Sequence, residues 1–406
     1  MKTWRRTSEF LALRRNTSLL LVVLVLGLTG ERLWIGFAPK YLQTLGATAL
    51  VIGLFDGLQT FLGAVYAYPG GWLTDRWGLR RSLLVFNALS LAGYLVVLFW
   101  HHWLALVLGA FLFVAWSSLS LPATFAVIAT TLDQRQHTMG VGVQSMVRRV
   151  PMMLGPLLGG WLINRFGWEQ GIQYALLLCM ALSVASAVFQ WFFTEPATPA
   201  RPAFPSPRNG FFGVVKTFSP TLRELLVSDI LIRFCERLPY AFVILWAMDH
   251  GGVTAGQFGW LVAIEMITAM LCYVPVAHLA DKHGKSPFVL VTFIFFTLFP
   301  ITLLFAHNFT WLAVAFAVRG LKEFGEPARK ALIIAQAAPE LRARTYGAYY
   351  LIRDCLVTAG SFLGAGLWSI SPQANFIGAA LCGALGTLWF WRRISTAPGK
   401  TRTLYI

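Results

Sequence analysis

Long apolar runs alternate with short polar gaps along almost the whole chain. Twelve of these runs have the roughly 20 residues that a helix needs to cross the hydrocarbon core of a membrane. The pattern therefore predicts an all-α integral membrane protein with twelve transmembrane helices, whose even number places both termini on the same side. The predicted spans are 17–41, 49–70, 82–100, 103–131, 139–163, 171–194, 225–249, 257–279, 287–306, 309–337, 344–369 and 374–391.

One polar gap is much longer than the others and contains six prolines. A proline-rich segment of this kind is semi-extended and acts as a spacer between folded parts of a chain. It divides the first six spans from the last six. The expected organisation is a cytoplasmic tail at 1–16, a six-helix bundle at 17–194, a cytoplasmic linker at 195–224, a second six-helix bundle at 225–391 and a cytoplasmic tail at 392–406.

The two halves repeat each other. Glu31-Arg32-Leu33 recurs as Glu236-Arg237-Leu238 at an offset of 205 residues. Several prolines, glycines and arginines keep nearly the same offset, so chance is a poor explanation. A duplicated six-span unit is typical of secondary transporters. The other matched pairs are Pro122 with Pro327, Gly142 with Gly347, Arg148 with Arg353, Gly155 with Gly360, and Gly159 with Gly364.

A basic, glycine-bounded segment separates spans two and three. It reads Gly-Trp-Leu-Thr-Asp-Arg-Trp-Gly-Leu-Arg-Arg over 71–81, and its Leu-x-Asp-basic-x-Gly core recurs over 277–285, where Asp281 lies 206 residues after Asp75. This pair of segments resembles the signature loop of the major facilitator superfamily and its weaker copy between spans eight and nine. Leu79 departs from the family pattern, because the family has a base there. The resemblance makes the following residues a conformational gate: Gly71, Asp75, Arg76, Gly78, Arg80, Arg81, Asp133, Asp281, Lys282, Gly284 and Lys285.

The resemblance implies that the Asp75 carboxylate contacts the start of span eleven, near 344–347, and holds the cytoplasmic side closed. The span-four arginine that usually assists is missing, so we expect Asp133 to pair with Arg80 or Arg81 instead. The turn itself follows from Gly78, which adopts positive φ without strain.

Composition agrees with a membrane protein. Hydrophobic residues make up 57%, the mean hydropathy is +0.64, and only 12% of residues are charged, against about 25% in soluble proteins. The net charge of +16 does not indicate a nucleic-acid partner, because most lysines and arginines fall in the tails and in loops on one side. That bias predicts that both termini are cytoplasmic. The family resemblance adds the expectation of a monomer in a bacterial inner membrane, with lipid as the surrounding partner.

Charged residues also occur inside the predicted spans, ten basic and eight acidic. Such groups are costly in a bilayer and usually face the bundle interior or a water-filled cavity. Asp229, Arg329 and Lys330 lie near span ends, where snorkelling to the surface is the simpler expectation. The candidate substrate and ion pathway consists of Glu31, Arg32, Asp56, Arg148, Arg149, Arg233, Glu236, Arg237, Glu265, Arg319, Lys322, Glu323, Glu326, Arg353 and Asp354.

Span ten carries the most charge. Arg319, Glu323, Glu326 and Lys330 are spaced four, three and four residues apart, which places them on one face of a continuous helix. Pro327, preceded by Gly325, interrupts that helix. The pattern favours a broken helix that lines a cavity; the alternative is a self-paired helix stabilised by Glu326 and Lys330.

The two Glu-Arg-Leu triplets are predicted roughly midway along spans one and seven. Adjacent helical residues do not face each other, so each charge needs a partner elsewhere. Arg32 and Arg237 form a symmetric anion clamp in one interpretation, similar to the family's organophosphate exchangers. In the other, Glu31 and Glu236 neutralise these arginines and hold the bundle geometry. Both interpretations stay open.

Span five places two adjacent arginines, Arg148 and Arg149, ahead of a Gly-Pro-x-x-Gly-Gly sequence. Asp354 is a candidate partner for the second arginine. The glycine sequence resembles the motif of the family's drug exporters; plain close packing of helices is the alternative. The packing or hinge residues expected are Gly155, Pro156, Gly159, Gly160 and Pro327.

Asp56 in span two and Glu265 in span eight are lone acids in apolar runs. Burial favours the neutral form of a carboxyl group, so either acid is a candidate proton carrier, with a hydrogen-bonded structural role as the alternative. Glu265 is preferred, because its sequence neighbours offer no partner.

The sequence contains none of the catalytic or metal-binding motifs of soluble enzymes that we considered. It has no Walker A or G-x-S-x-G pattern, and its seven histidines form no metal-ligand array. The five cysteines lie in apolar spans and are expected to serve in packing. We expect no cofactor and no enzyme activity. The favoured function is proton-coupled export of small organic molecules by alternating access. The alternatives are uptake or exchange of an organic or phosphate-like anion, and a non-transporting sensor or assembly partner.

Overall fold

The computed structural model describes residues 15–131, 147–192, 211–336 and 342–395. Helices with short connections account for this part of the chain, and it contains no strand. The helices are α1 Arg15–Trp34, α2 Ala38–Thr44, α3 Ala49–Trp77, α4 Leu79–Phe99, α5 Trp103–Thr131, α6 Arg149–Phe166, α7 Trp168–Trp191, α8 Phe211–Lys216, α9 Pro220–Arg237, α10 Val243–Asp249, α11 Ala255–His283, α12 Ser286–Leu304, α13 Phe309–Leu321, α14 Glu326–Ala335, α15 Arg342–Ile370 and α16 Pro372–Phe390.

Within the described residues, each of the twelve predicted spans overlaps one of these helices or a broken pair; residues 139–146 of span five, 193–194 of span six and 337 of span ten lie outside them. A 3₁₀ turn at Ile35–Phe37 joins α1 to α2, and a π-helical turn at Trp391–Ser395 extends α16. Among the described residues, seven helical segments are long and apolar enough to cross a membrane by length and composition alone. Spans seven and ten, which are each split into two helices and carry several charges, are not among the seven.

The signature segments are helical for most of their length, so the predicted loops at 71–81 and 277–285 are wrong in extent. α3 continues to Trp77 and α11 continues to His283. Only the glycine that follows each helix leaves the helical conformation, with φ of +82° at Gly78 and +90° at Gly284. These positive φ values confirm the predicted sharp turn, which a residue with a Cβ adopts only at a cost.

The linker prediction is too long at its C-terminal end. Residues 211–216 form the short helix α8, and Val214 and Phe218 are buried in the hydrophobic core. α9 begins at Pro220, five residues earlier than expected, because Ser219 caps it by accepting a hydrogen bond from the Leu222 amide (3.1 Å).

Contact clustering divides the chain into two compact units, described here separately. Unit 1 comprises 1–47, 58–205 and 254–263, and unit 2 comprises 48–57, 206–253 and 264–406. In unit 1, α1 packs against α6 and α7, and α4 packs against α5. In unit 2, α9 packs against α15 and α16, and α12 packs against α13 and α16. The two helices α3 and α11 are each shared between the units.

Candidate functional site

The Glu-Arg-Leu triplets lie roughly midway along spans one and seven, as predicted, and each coincides with a helix break that the sequence analysis did not predict. α1 ends at Trp34, directly after the first triplet, and α9 ends at Arg237 within the second. Backbone N–H and C=O groups at such breaks lie outside the regular hydrogen-bond pattern of the helix. Discontinuous helices of this kind form the binding sites of many transporters.

The break in span ten is confirmed, with α13 ending at Leu321 and α14 beginning at Glu326. The amide of Gly325 donates to Thr292 Oγ1 at 2.5 Å, and a Cβ at this glycine would collide with the backbone of Phe288. The break falls inside the charged stripe. Arg319 lies on α13 and Glu323 in the break, whereas Glu326 and Lys330 lie on α14, so the prediction of one shared helix face is wrong.

A largely buried chain of alternating bases and acids begins at this break in unit 2. Arg319 Nε lies 3.3 Å from Glu265 Oε1, and Lys322 Nζ lies 3.7 Å from the same oxygen. Lys322 Nζ also donates to Glu236 Oε1 at 2.8 Å. Glu265 is therefore shared by two bases, and the prediction that it lacks a partner is wrong, because both bases belong to another span.

The chain continues along α9 and α14. Glu236 Oε2 accepts from Arg233 Nη1 at 2.7 Å, and Arg233 Nη2 reaches Glu326 Oε2 at 3.3 Å. Arg329 binds the same carboxylate through both Nε and Nη2, at 2.9 and 2.7 Å. Lys330 Nζ, at 3.6 Å, is a weaker partner of Glu326, so the self-paired helix is only a small part of a larger network.

The chain ends on Asp229, Arg353 and Asp354. Asp229 Oδ2 accepts hydrogen bonds from Arg329 Nη1 (2.5 Å), the Tyr349 hydroxyl (3.1 Å) and Arg353 Nη1 (3.4 Å). Arg353 Nη2 also lies 2.7 Å from Asp354 Oδ1. The pairing of Asp354 is thus with its sequence neighbour.

Sequence reasoning missed Asp229 and Arg329 as site residues. Their side chains are 0% and 1% exposed, so the expectation that they snorkel is wrong, whereas Lys330, at 44%, fits it. The available signal was the near balance of acids and bases within the spans, which predicts pairing but not which residues pair. The complete alternating chain is Arg319, Glu265, Lys322, Glu236, Arg233, Glu326, Arg329, Asp229, Arg353 and Asp354.

Asp56 also has partners, so the prediction of a lone acid is wrong. Its Oδ2 accepts a hydrogen bond from Ser361 Oγ at 2.6 Å and lies 3.2 Å from Arg237 Nε. Both partners are more than 180 residues away in sequence. The guanidinium of Arg237 also lies over the Tyr240 ring, 4.7 Å from its centroid.

Unit 1 contains a smaller cluster around the first triplet. Glu31 interacts electrostatically with Arg32 and Arg148 and has Ser117 as a hydroxyl partner. Arg32 Nε is buried and has no hydrogen-bond partner among the described residues. Arg149 and Glu323 make interactions of their own within the structure. The two arginines of the predicted clamp are therefore unequal: Arg237 is held by a carboxylate, and Arg32 retains an unused buried donor.

The small residues of span five bring α6 against the backbone of α1. A Cβ at Gly155 would lie 2.5 Å from Arg32 Cβ, and one at Gly159 would lie 2.8 Å from the Leu33 carbonyl carbon. A Cβ at Gly160 would lie 2.9 Å from the Ala255 carbonyl carbon, and the helix continues through Pro156. These contacts support the packing interpretation of the motif.

The gate residues are described only in part. The backbones of Gly71, Asp75 and Asp281 lie near the ends of α3 and α11, while Asp133 falls outside the described residues. The Arg80 guanidinium lies over the Trp191 ring at 4.0 Å, and that of Arg76 lies over the Trp72 ring at 5.3 Å. The gate therefore stays a prediction. Among its other bases, Arg81 and Lys282 are exposed and Lys285 is half-buried.

The described residues contain no group of His, Cys, Asp and Glu side chains that could hold a metal ion. All five cysteines are unpaired; Cys179 and Cys235 are buried, as expected for packing residues, but Cys355 is exposed.

A multi-span helical bundle with broken helices and buried, paired charges defines the class of protein as a secondary transporter. The sequence model described as "Major Facilitator Superfamily" matches residues 19–244 and 225–403. The multidrug resistance protein MdtG of Serratia proteamaculans is 24% identical over 382 residues, covering 90% of each chain. The multidrug resistance protein MdtH of Aeromonas hydrophila is 25% identical over 316 residues, covering 76% of each.

The crystal structure of a mutant of the nucleoside transporter NupG aligns with a TM-score of 0.78 at 11% identity, covering 93% of this chain and 99% of that one. The chain belongs to the Major Facilitator Superfamily. It is a multi-pass membrane transporter and not an enzyme, and the twelve-helix fold class expected from its sequence is confirmed.

Proposed function

We propose that this protein exports small organic molecules in exchange for protons. The names of the MdtG and MdtH relatives support export of drug-like compounds. The Gly-Pro-x-x-Gly-Gly sequence of α6 agrees with that direction, although it also serves the packing described above.

The observation that carries the proposal is the position of Glu265. Its carboxylate is buried and shared by Arg319 and Lys322, next to the break in span ten. A proton on this carboxylate removes the common partner of two bases in a region where unpaired charge is costly. Proton binding is thereby linked to a rearrangement of the broken helix, which is what coupling requires.

The test is transport by the purified full-length chain in proteoliposomes with an imposed pH gradient. Fluorescent organic cations and neutral dyes serve as probes, and a pH-sensitive dye follows protons on the opposite side. We expect probe movement against its gradient together with proton movement in the other direction. Probe movement that needs sodium instead, or none in either direction, would contradict the proposal.

The second candidate function is transport of an organic or phosphate-like anion. The observation that favours it is the buried Arg32 Nε, which has no hydrogen-bond partner in the described part of the chain. A guanidinium with a free donor recognises a carboxylate or phosphate through paired hydrogen bonds, which a lysine ammonium does not reproduce. Arg32→Lys should weaken binding of inorganic phosphate or benzoate more than tenfold if this function operates, and should leave dye export unchanged if it does not.

The chain is proposed to act as a monomer in the bacterial inner membrane with both termini in the cytoplasm. The support is the excess of Lys and Arg in the tails and in alternate loops. Fusion of a reporter that fluoresces only in the cytoplasm to each terminus tests the orientation. A dark C-terminal fusion on folded protein would contradict it.

A further inference from the structure

One end of unit 2 carries three exposed bases. Lys216 is the last residue of α8, Arg223 lies in the first turn of α9, and Arg393 lies in the π-helical turn after α16. None of the three pairs with a carboxylate in the part of the chain that the structure describes. We call these three residues the basic corner.

One hydrophobic core holds the three segments that carry these bases. Val214 and Phe218, which flank Lys216 in sequence, are buried in it, as are Leu222, next to Arg223, and Ile394, next to Arg393. The π-helical turn also packs directly against α9. Each base therefore lies within two residues of a side chain buried in one common cluster, so its backbone is held in place while its side chain faces outward.

A tryptophan separates the nearest acid from one of the bases. Glu224 Oε2 accepts a hydrogen bond from Trp389 Nε1 at 2.7 Å. The Arg393 guanidinium lies over the ring of the same tryptophan, 5.5 Å from its centroid, which is within the range of a cation–π interaction. Glu224 forms no salt bridge among the described residues, because its carboxylate is directed at the indole N–H instead.

The second arginine is anchored through the backbone. Arg223 Nη2 donates to the Lys216 carbonyl oxygen at 3.3 Å, which ties the start of α9 to the end of α8. A guanidinium has five N–H donors, so most of those of Arg223 are left for a ligand. Arg223 also precedes Glu224 in sequence, which places its Cα within about 4 Å of the residue that contacts Trp389.

An apolar strip on α16 leads to the basic corner. Its exposed side chains are spaced four, four and three residues apart, so they share one helix face. The strip ends at the exposed rings of Trp389 and Trp391, and Arg393 follows. Apolar chains, an interfacial layer and a charged headgroup follow one another in the same order in a phospholipid. The members of the strip are Ile377, Leu381, Leu385 and Leu388.

We propose that the basic corner binds the phosphate headgroup of an anionic phospholipid whose acyl chains lie along the strip on α16. Arg223 and Arg393 donate hydrogen bonds to the phosphate oxygens, and Lys216 adds a positive charge beside them. Trp389 positions Arg393 through its ring and, by occupying Glu224, keeps that carboxylate from neutralising the site.

The site selects lipids by charge. Three bases and one acid leave the corner positive, which favours a headgroup with a net negative charge over a zwitterionic one. A soluble phosphate would meet the same bases but not the apolar strip. The strip therefore favours a lipid as the occupant.

The test measures lipid binding to the purified full-length chain by mass spectrometry of intact protein–lipid complexes. Dioleoyl phosphatidylglycerol is the anionic probe, and dioleoyl phosphatidylcholine, which has the same acyl chains and no net charge, is the reference. We expect the parent protein to bind phosphatidylglycerol in preference. No transport is measured, so the result is independent of the proposed export.

Removing either arginine should weaken this preference. Arg223→Gln and Arg393→Gln should each lower the affinity for phosphatidylglycerol about fivefold, since one base near a membrane surface contributes about 1 kcal/mol to the attraction of anionic lipid. The double variant should lose about 25-fold on the same basis. Arg81→Gln removes an exposed base of unit 1, controls for net charge and should bind as the parent does.

A change that leaves the net charge unaltered tests the role of the tryptophan. Trp389→Phe keeps an aromatic ring but removes the N–H that Glu224 accepts, so the carboxylate becomes available to the neighbouring bases. We expect weaker binding of phosphatidylglycerol in this variant, and recovery when Glu224→Gln is added. Loss without recovery would show that Trp389 acts only through packing and would remove it from the site.

Equal binding of the two lipids by the parent would overturn the proposal, and so would a loss in Arg81→Gln as large as that in the single corner variants. Inorganic phosphate that binds in the absence of lipid, and depends on the same two arginines, would show that the corner takes a soluble anion instead. Size-exclusion chromatography checks the fold of each variant. If the double variant aggregates, unchanged binding in both folded single variants is the overturning result.

Discussion

Arg32 and Arg237 occupy the same position in the internal repeat, yet their side chains are in different states. Arg237 lies between a carboxylate and a tyrosine ring, whereas Arg32 Nε has no hydrogen-bond partner in the described part of the chain. One source of the difference is the position equivalent to Asp56, which is Val262 in the other half. At the residue scale, the two halves of the repeat differ in the partners of equivalent arginines, and we expect these arginines to differ in function.

Glu265→Gln tests the proposed coupling at this scale. Glutamine keeps the size of the side chain but permanently removes the charge shared by Arg319 and Lys322. We expect loss of pH-driven accumulation, with substrate binding and solute exchange largely kept. Accumulation in response to a pH gradient by this variant would move the coupling role to Asp56 or Glu31. Glu224→Gln is the control that should transport normally.

Asp229→Asn tests the buried charge chain. Asp229 is the 0% exposed partner of Arg329, Arg353 and Tyr349, so neutralising it leaves two buried arginines less compensated. Breaking a buried ion pair from one side costs about 3–5 kcal/mol. Thermal unfolding in detergent should show a clearly lower midpoint. Glu224→Gln on the same helix alters one contact, to Trp389, and should cost about 1 kcal/mol. Equal midpoints would mean that the network contributes nothing to stability.

At the scale of helices, glycine spacing decides which elements touch. α6 approaches the end of α1 through Gly155 and Gly159, and α15 approaches the end of α9 through the equivalent Gly360 and Gly364. In both halves the contact falls where the helix breaks at a Glu-Arg-Leu triplet. Close packing of these glycines therefore occurs at the helix ends that carry Arg32 and Arg237.

Two glycines of α15 provide a matched test. A Cβ at Gly364 would lie 2.9 Å from the Leu238 carbonyl carbon, whereas one at Gly366 meets nothing within 4 Å. Gly364→Ala should lower the unfolding temperature and the yield of folded protein, because the obstacle is backbone. Gly366→Ala should be neutral or stabilising by up to about 1 kcal/mol, from helix propensity. A tolerated alanine at Gly364 would show that α9 and α15 can separate without loss.

At the scale of the whole molecule, the gate that the family resemblance implies stays a prediction. Asp75→Asn should raise the population open to the cytoplasm, since the carboxylate is expected to interact with the positive start of span eleven. Single cysteines introduced on either side, labelled by an impermeant reagent, measure the change. Unaltered labelling on both faces would exclude a latch at Asp75.

The sequence by itself determined the number and order of the spans, the repeat and the family. These follow from local patterns: the length of apolar runs, glycine at the turns, and two copies of one motif. It also identified Gly325 and Pro327 as the interruption of span ten, because both disfavour a continuous helix whatever surrounds them.

Only the tertiary structure decided which charges pair. Glu265 and Asp56 look solitary because their neighbours in sequence are apolar, yet their partners come from helices 54 to 305 residues away. Asp229 looks like a span-end residue and is completely buried. Charge balance predicts that partners exist, but Coulomb attraction acts over a few ångströms in space, and which side chains come that close is set by helix packing and by where each helix breaks.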